Sequence, residues 1–385
     1  MNILLIGEYS RLHNSLKEGL QKLGHHVVIL GFNDGFKDFP VDFKLVKKWD
    51  QGWRKKIKVG IYRLCGFDLT SYFTYRQFQK NKSHFKGFDA VQLINENSFY
   101  CDFYFEKKIL TFLFQKNKKV FLLSCGDDYL NVKYNFEKPY IKSVVQPYLK
   151  GKVKRNAFLG VLKFRKKSFK KLHHFIYDSI AGVIASDIDY HFPLLNHQKY
   201  LGIIPNPINT NTIHFDPLTI SNKINIFLGI NNESYYKKGS DYFKKALVIV
   251  QEKYPEKVTI TITRSIPYKQ YIKLYDEAHI LLDQVYAYDQ GYNALEAMAK
   301  GKVVFTGAET EFMAHYNLSE NVAINTLPDV DYLVNQLSFL IENPNEIIAI
   351  GKRARSFIEK EHDYVKIANR YLDVWNLSKS KVLKS

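Results

Sequence analysis

Cysteine is scarce in this 385-residue chain: Cys65, Cys101 and Cys125 are an odd number without framework spacing. That excludes a disulfide-built scaffold and suits a reducing compartment. No C-x-x-C pair and no His cluster has zinc spacing, so no metal site is expected. In extended chain the neighbours His25-His26 and His173-His174 would point to opposite faces and would not chelate as pairs. No stretch approaches the roughly 18 uninterrupted apolar residues of a bilayer span. The short apolar run Ile3 to Ile6, followed by Gly7-Glu8, does not have the form of a secretory signal. A cytoplasmic protein is expected.

Acidic residues are short in one half only. Residues 1–205 carry 35 Lys and Arg against 17 Asp and Glu, which is the whole net charge of +18; the remainder carries 21 of each. An anionic partner is expected for the first half alone. From Lys138 to Tyr177 there is no acidic residue, and in the core of that stretch, Lys150 to Lys171, nine Lys and Arg from Lys152 onward alternate with Phe158, Leu159, Val161, Leu162, Phe164 and Phe169. A second cluster, Arg54-Lys55-Lys56 with Lys58, lies beside Trp49 and Trp53. Basic residues mixed with aromatics suit the headgroup level of an anionic membrane. No nucleic-acid-binding motif accompanies them, so nucleic acid is not expected as a partner.

With 46% hydrophobic residues the chain can fill two domain cores. An apolar strand, Asn2 to Ile6, precedes a helix-period segment with Leu12, Leu16, Leu20 and Leu23 on one face, then Gly24 and a second strand, Val27 to Leu30. Strands are expected at Ala90–Ile94, Val120–Ser124 and Ile180–Ala185, with a helix over Phe103–Phe114. A second alternating set starts at Ile224: strands at Ile224–Leu228, Val258–Ile262, His279–Leu282 and Val303–Phe305, and helices over Asp241–Val250, Tyr268–Tyr275 and Asn293–Ala299, with two helical segments running on to Trp375. Strand–helix alternation implies parallel, doubly wound α/β sheets. Pro205-Asn206-Pro207 is the best boundary. We therefore expect domains at 1–205 and 206–365, with a C-terminal helix, 366–385, returning to the first. Ligands of such sheets bind beyond the strands' carboxyl ends.

Gly291-Tyr292-Asn293 opens a helix after a buried strand. Gly291 allows close approach, free N–H groups favour phosphate, and Glu296 lies one turn in. On helix chemistry alone this is as consistent with an ordinary amphipathic helix as with a phosphate site. Asp127-Asp128 follows an apolar strand and is ambiguous between acid–base work on a hydroxyl and helix capping. Glu96, at a neighbouring strand end, shares that ambiguity.

The run Gly291 to Val304, with Leu295-Glu296-Ala297-Met298-Ala299-x-Gly301-Lys302-x-Val304 its most specific part, resembles the donor-site signature of the large retaining GT-B glycosyltransferase family of bacterial polysaccharide assembly. Ile204-Pro205-Asn206-Pro207-Ile208-Asn209 is similar to that family's interdomain turn, Lys238-Gly239 to its Lys-Gly pair, and Cys125-Gly126-Asp127-Asp128 to its acceptor-domain strand end. His362-Asp363 before a terminal helix, and the Gly7 to Ser10 loop with Tyr9, fall in the expected order. The resemblance implies a GT-B fold with two Rossmann-like domains facing a cleft. It also implies a metal-independent, retaining hexosyltransferase using a UDP- or GDP-linked sugar as co-substrate, with no further cofactor. Glu296 would hold the ribose, and Lys238 the diphosphate. Gly291, Tyr292, Asn293, Arg264 and Asp289 would complete the donor side. Asp127 or Asp128 would act on the acceptor, beside Gly7, Tyr9 and Glu96. The acceptor would be a glycan, free or lipid-linked, and the enzyme peripheral on the inner face of the plasma membrane.

Three positions depart from the family. Tyr288 stands where a first glutamate is expected, eight residues before Glu296. No arginine follows the first donor-side strand, where the chain reads Gly229-Ile230-Asn231-Asn232; Arg264 is the replacement charge. Cys125 replaces a histidine. These leave a nucleotide-sugar epimerase and an inactive glycan- or lipid-binding GT-B module as alternatives.

Overall fold

The computed structural model describes residues 1–32, 39–138, 140, 142–220 and 222–377. Two parallel sheets organise them. The first joins β1 (Asn2–Ile6), β2 (His26–Phe32), β3 (Phe43–Leu45), β4 (Ala90–Leu93), β5 (Val120–Ser124), β6 (Gly182–Ala185) and β7 (Tyr200–Ile203) in the order β3-β2-β1-β4-β5-β6-β7. The second joins β8 (Ile224–Ile230), β9 (Val258–Arg264), β10 (Ile280–Leu282), β11 (Val303–Thr306) and β12 (Ile324–Asn325) in the order β12-β11-β10-β8-β9. The order reverses between β1 and β4 in one sheet and between β8 and β10 in the other, and each reversal opens a crevice at the strands' carboxyl ends.

Helices cover both faces, so the strands are buried on both sides and read as near-continuous apolar runs. In β1, Ile3 and Leu5 enter one core while Leu4 and Ile6 enter the opposite one. The first core is lined by α1 (Leu12–Lys22). The second is lined by α3 (Leu69–Asn81), which follows α2 (Gly52–Cys65), and by α4 (Phe103–Lys116). Between β5 and β6 run α5 (Tyr129–Glu137), the one-turn α6 (Gln146–Leu149) and α7 (Leu159–Leu162), and α8 (Lys167–Ser179); α9 (Ile188–Leu194) follows β6. The second sheet carries α10 (Ser240–Lys253), α11 (Tyr268–Glu277) and α12 (Tyr292–Ala299). Beyond β11, four helices replace the expected two: α13 (Thr310–His315), α14 (Val330–Glu342), α15 (Pro344–Glu361) and α16 (Tyr364–Leu377).

The chain then returns to its start. His362 Nδ1 meets the Asn206 carbonyl at 2.8 Å, and Ile208 N–H donates to the His362 carbonyl at 2.8 Å, so the turn between the sheets is clasped by the entry to α16. Gly19 lets α16 lie directly on α1, since a Cβ there would sit 2.2 Å from the Tyr364 carbonyl oxygen. Trp375 ends buried beside Phe121 and Tyr371. Residues 378–385 of the expected terminal helix lie outside the described residues.

The stretch Lys150–Lys171 does not present its aromatics to a membrane. Phe158, Val161 and Phe164 are buried, with Val132, Val145 and Val153, in a small core of their own. Amphipathic one-turn helices pack inward here because most of the cations that alternate with these residues stay outside, Lys163 alone of them turning to the cleft. Leu159 stays exposed.

Candidate functional site

The crevice of the first sheet is filled by a buried, hydrogen-bonded polar network. Gly7 has φ +90°, and a Cβ there would lie 2.3 Å from Ile94 Cγ2, so only glycine fits between β1 and β4. Its carbonyl lies 2.7 Å from His13 Nδ1. His13 is fully buried, and burial lowers its pKa to about 4. Glu8 accepts the Asn14 backbone N–H at 2.9 Å and its side-chain amide at 2.6 Å. Asn95 ties β4 to β5 by donating to the Cys125 carbonyl at 2.9 Å and that of Asp127 at 3.1 Å.

Two of the residues predicted for this side turn inward. Asp128 caps α5, accepting the Asn131 N–H at 2.7 Å and the Ser124 hydroxyl at 2.6 Å. It is 1% exposed, and burial with the neighbouring Glu96 raises its pKa to about 7. Glu96 lies 2.7 Å from His173 Nδ1 in the same pocket. Burial pushes Glu96 up to about 8 and His173 down to about 4, so both favour their neutral forms. Neither Glu96 nor Asp128 lines a cavity; Asp127 and Tyr9 do.

The crevice of the second sheet is more open. Lys238 Nζ is held 2.9 Å from Asp283 Oδ1, at the carboxyl end of β10. The same carboxylate oxygen accepts from Asn293 Nδ2 at 3.3 Å, and Asn293 Oδ1 accepts the Tyr271 hydroxyl at 3.1 Å. Lys238 is thus ordered rather than a freely solvated loop residue. Gly291 precedes α12 with no side-chain cap, and a Cβ on it would meet only Gln284 Nε2, at 3.8 Å. Tyr292 is different: its hydroxyl lies 2.6 Å from Ser15 Oγ and donates to the Pro207 carbonyl at 3.0 Å, fastening α12 to α1 and the inter-sheet turn. Its ring points away from the open end of the helix, so only its backbone remains available to a ligand there.

Of three neighbouring spaces, one reaches this end of α12. A cavity of about 270 Å³ brings together Asp127, Lys237, Lys238, Asp289 and Gly291. A cleft of about 880 Å³ between the sheets shares Asp127 with it and adds Tyr9, Arg264 and Lys163. Glu296 lies apart, in a groove of about 640 Å³ with Arg11, Tyr268, Tyr275 and Lys300. Arg264 does reach the cleft from the end of β9, donating to Asn232 at 3.3 Å and lying 5.1 Å from the Tyr235 ring centroid. Lys237 bridges the halves, 2.7 Å from Asp127 Oδ2.

Asp289 has company that sequence reasoning missed. Oxygens of Asp187, Asp189 and Asp289 all lie within 4.8 Å of one another, between the two sheets. Each is engaged by backbone: Asp187 caps α9, Asp189 accepts the Tyr288 N–H at 3.0 Å, and Asp289 accepts the Ile188 N–H at 3.0 Å. Burial raises all three, Asp189 to about 6. Mutual repulsion adds to the rise for Asp187 and Asp289. Tyr288, at the expected glutamate position, stacks on Tyr140 with centroids 4.6 Å apart. Asp187, Asp189 and Asp283 share a signal with Asp127: a carboxylate in the short loop after an apolar strand. Lys163 and Lys237 carried no such signal, being lost among many lysines.

Residues 237–373 match a family model described as glycosyl transferase-like. No curated protein matches the chain in sequence. Among solved structures, sucrose-phosphate synthase from Thermosynechococcus elongatus superposes with TM-score 0.63 at 14% identity, covering 98% of each chain. Anabaena HepE in complex with UDP and glucose gives 0.54 at 11% identity over 98% of this chain and 99% of that one. The UDP-GlcNAc 2-epimerase of Neisseria meningitidis bound to UDP-GlcNAc gives 0.51 at 12%, over 97% and 99%. The fold is the GT-B architecture, and the resemblance seen in the donor-side motifs holds.

Proposed function

We propose that this protein transfers a hexose from a UDP- or GDP-linked donor to a glycan, free or lipid-linked, in cell-surface polysaccharide assembly. One observation carries the reading: Lys238 and the uncapped start of α12 at Gly291 line the same cavity as Asp127 of the opposite sheet. A diphosphate there meets a fixed cation and helix N–H groups as leaving-group charge develops. The nucleoside extends over Asn293 into the groove where Glu296 accepts from the ribose, and Arg264 approaches the phosphates from β9. Asp127 accepts the proton of the acceptor hydroxyl, beside Tyr9, in a cleft large enough for a saccharide. Transfer proceeds with retention and without a metal ion, as the family resemblance implies, at the inner face of the plasma membrane.

Binding UDP or GDP should raise the melting temperature. Glu296→Ala should abolish that rise while leaving the unliganded transition nearly unchanged. A wild type unmoved by any nucleoside diphosphate would overturn the reading. Incubation with a nucleotide-sugar panel, with and without lipid extract, should release nucleotide only when acceptor is present. Interconversion of the sugar without nucleotide release would favour an epimerase instead.

A further inference from the structure

Helix α2 contains no buried residue. Seven of the seventeen large apolar side chains exposed among the described residues fall between Val46 and Phe67, in or beside this helix. At about 100° per residue, Trp53, Ile57, Ile61 and Leu64 share one arc of the helix. Three of them are conspicuously open: Trp53 is 64% exposed, Ile57 42% and Leu64 88%. Arg54 and Lys58 flank the arc on one side, Lys56 and Arg63 on the other. No Asp or Glu occurs from Gln51 to Phe67. At its start the helix is held by Trp49, which stacks on Phe73 with centroids 6.2 Å apart and lies 6.3 Å from Trp53, and by Lys58, whose Nζ lies 2.7 Å from Asp50 Oδ1.

An apolar arc edged on both sides by cations is the pattern of a helix lying in the plane of a membrane interface. We infer that α2 docks on an anionic lipid bilayer, with Trp53, Ile57 and Leu64 entering at headgroup depth and Arg54, Lys56 and Arg63 meeting lipid phosphates. The partner is argued from charge. A second copy of this helix would bring like cations together, and the flanking carboxylates are already engaged, Asp50 by Lys58 and Asp68 by the start of α3. The rival basic stretch, Lys150–Lys171, has spent most of its apolar residues on its own small core and can add only solvated charge. The inference is independent of what the cleft transfers, because α2 contributes no residue to the cavities described above.

The test is flotation of the full chain with vesicles of phosphatidylcholine, alone or mixed with phosphatidylglycerol, at physiological salt. The wild type should co-float with the mixed vesicles. The Trp53→Glu/Leu64→Glu double variant should lose that binding roughly tenfold or more. Neutralising Lys166, Lys167, Lys170 and Lys171 should weaken it less. Brominated lipid should quench fluorescence in the wild type and lose most of that effect in Trp53→Phe, because Trp375 is buried. Since α2 buries nothing, the double variant should keep the wild-type melting temperature and any nucleotide response, which separates this inference from the proposed reaction. Failure of the wild type to float, or equal flotation of the double variant, would overturn it. So would a dimer in light scattering that the double variant dissolves without any vesicle binding.

Discussion

The two crevices are built on the same topological event, a reversal of strand order, yet they are filled in opposite ways. In the first sheet the reversal is packed with groups that satisfy one another: Gly7 with His13, Glu8 with Asn14, Glu96 with His173, and Asp128 with the start of α5. In the second sheet it holds a one-third-exposed lysine on a buried aspartate beside an uncapped helix. A closed network fixes a backbone frame, whereas an open cation and free helix N–H groups are ready to exchange partners with an anion. The first sheet therefore contributes shape and Asp127, the carboxylate that reaches both the cleft and the smaller cavity, which Asp187 and Asp189 also line. The second contributes the electrostatics.

Lys238→Ala tests that contrast most severely. Removing the fixed cation should lower kcat/KM about 10²-fold or more, because its attraction grows as charge develops on the leaving diphosphate. The melting temperature should fall only modestly, because the buried Asp283 loses its cation but keeps the Asn293 amide as a donor. A loss of stability without loss of turnover would make the second crevice as structural as the first.

The adjacent carboxylates sharpen the contrast within the first sheet. Asp127→Asn should reduce turnover about 10²-fold with little effect on unfolding. Asp128→Ala should cost about 1–2 kcal/mol of stability, read as a lower melting temperature, because it removes a helix cap and a buried hydrogen bond. Equal effects of the two substitutions on both measurements would erase the distinction between frame and chemistry.

The smallest effect is expected where the halves meet. Asp189 has a folded pKa of about 6, above the ~3.9 of an unfolded aspartate. Between these values the folded chain holds the proton more tightly, so its stabilisation is present below the unfolded pKa and is lost as pH rises through 6. Acidification from pH 7.5 to 5 should stabilise the wild type relative to Asp189→Asn by about 1 kcal/mol. The difference between the two proteins is the readout, because His13, His173 and His362 have lowered folded pKa values and work in the opposite direction over that range. A flat difference would mean the carboxylate trio does not govern the junction.

Much of this was legible before folding. Strand β5 and the start of β1 stand where period and apolar runs place them, and α12 begins one residue before the expected Asn293. Gly291 and Lys238 could be singled out in the sequence because each sits in a short local motif, and the fold brings the two to one cavity. Glu96 and Asp128 were not resolved by sequence, since a carboxylate after a strand suits capping and catalysis equally until its donors are seen. Tyr292 misled as a donor-side chain because the residue it grips, Ser15, is 277 positions away.

The sequence by itself determined the alternation of strands and helices, the donor-side motif and the concentration of positive charge in the first half. All of these are local patterns, set by side-chain period and composition. Only the tertiary structure decided which carboxylate faces the cleft, that three aspartates from two sheets converge, that the Lys150–Lys171 aromatics are core, and that α2 keeps its apolar arc outside. Those depend on which distant segment arrives to cover a side chain, and burial by a distant segment leaves no mark in the local pattern.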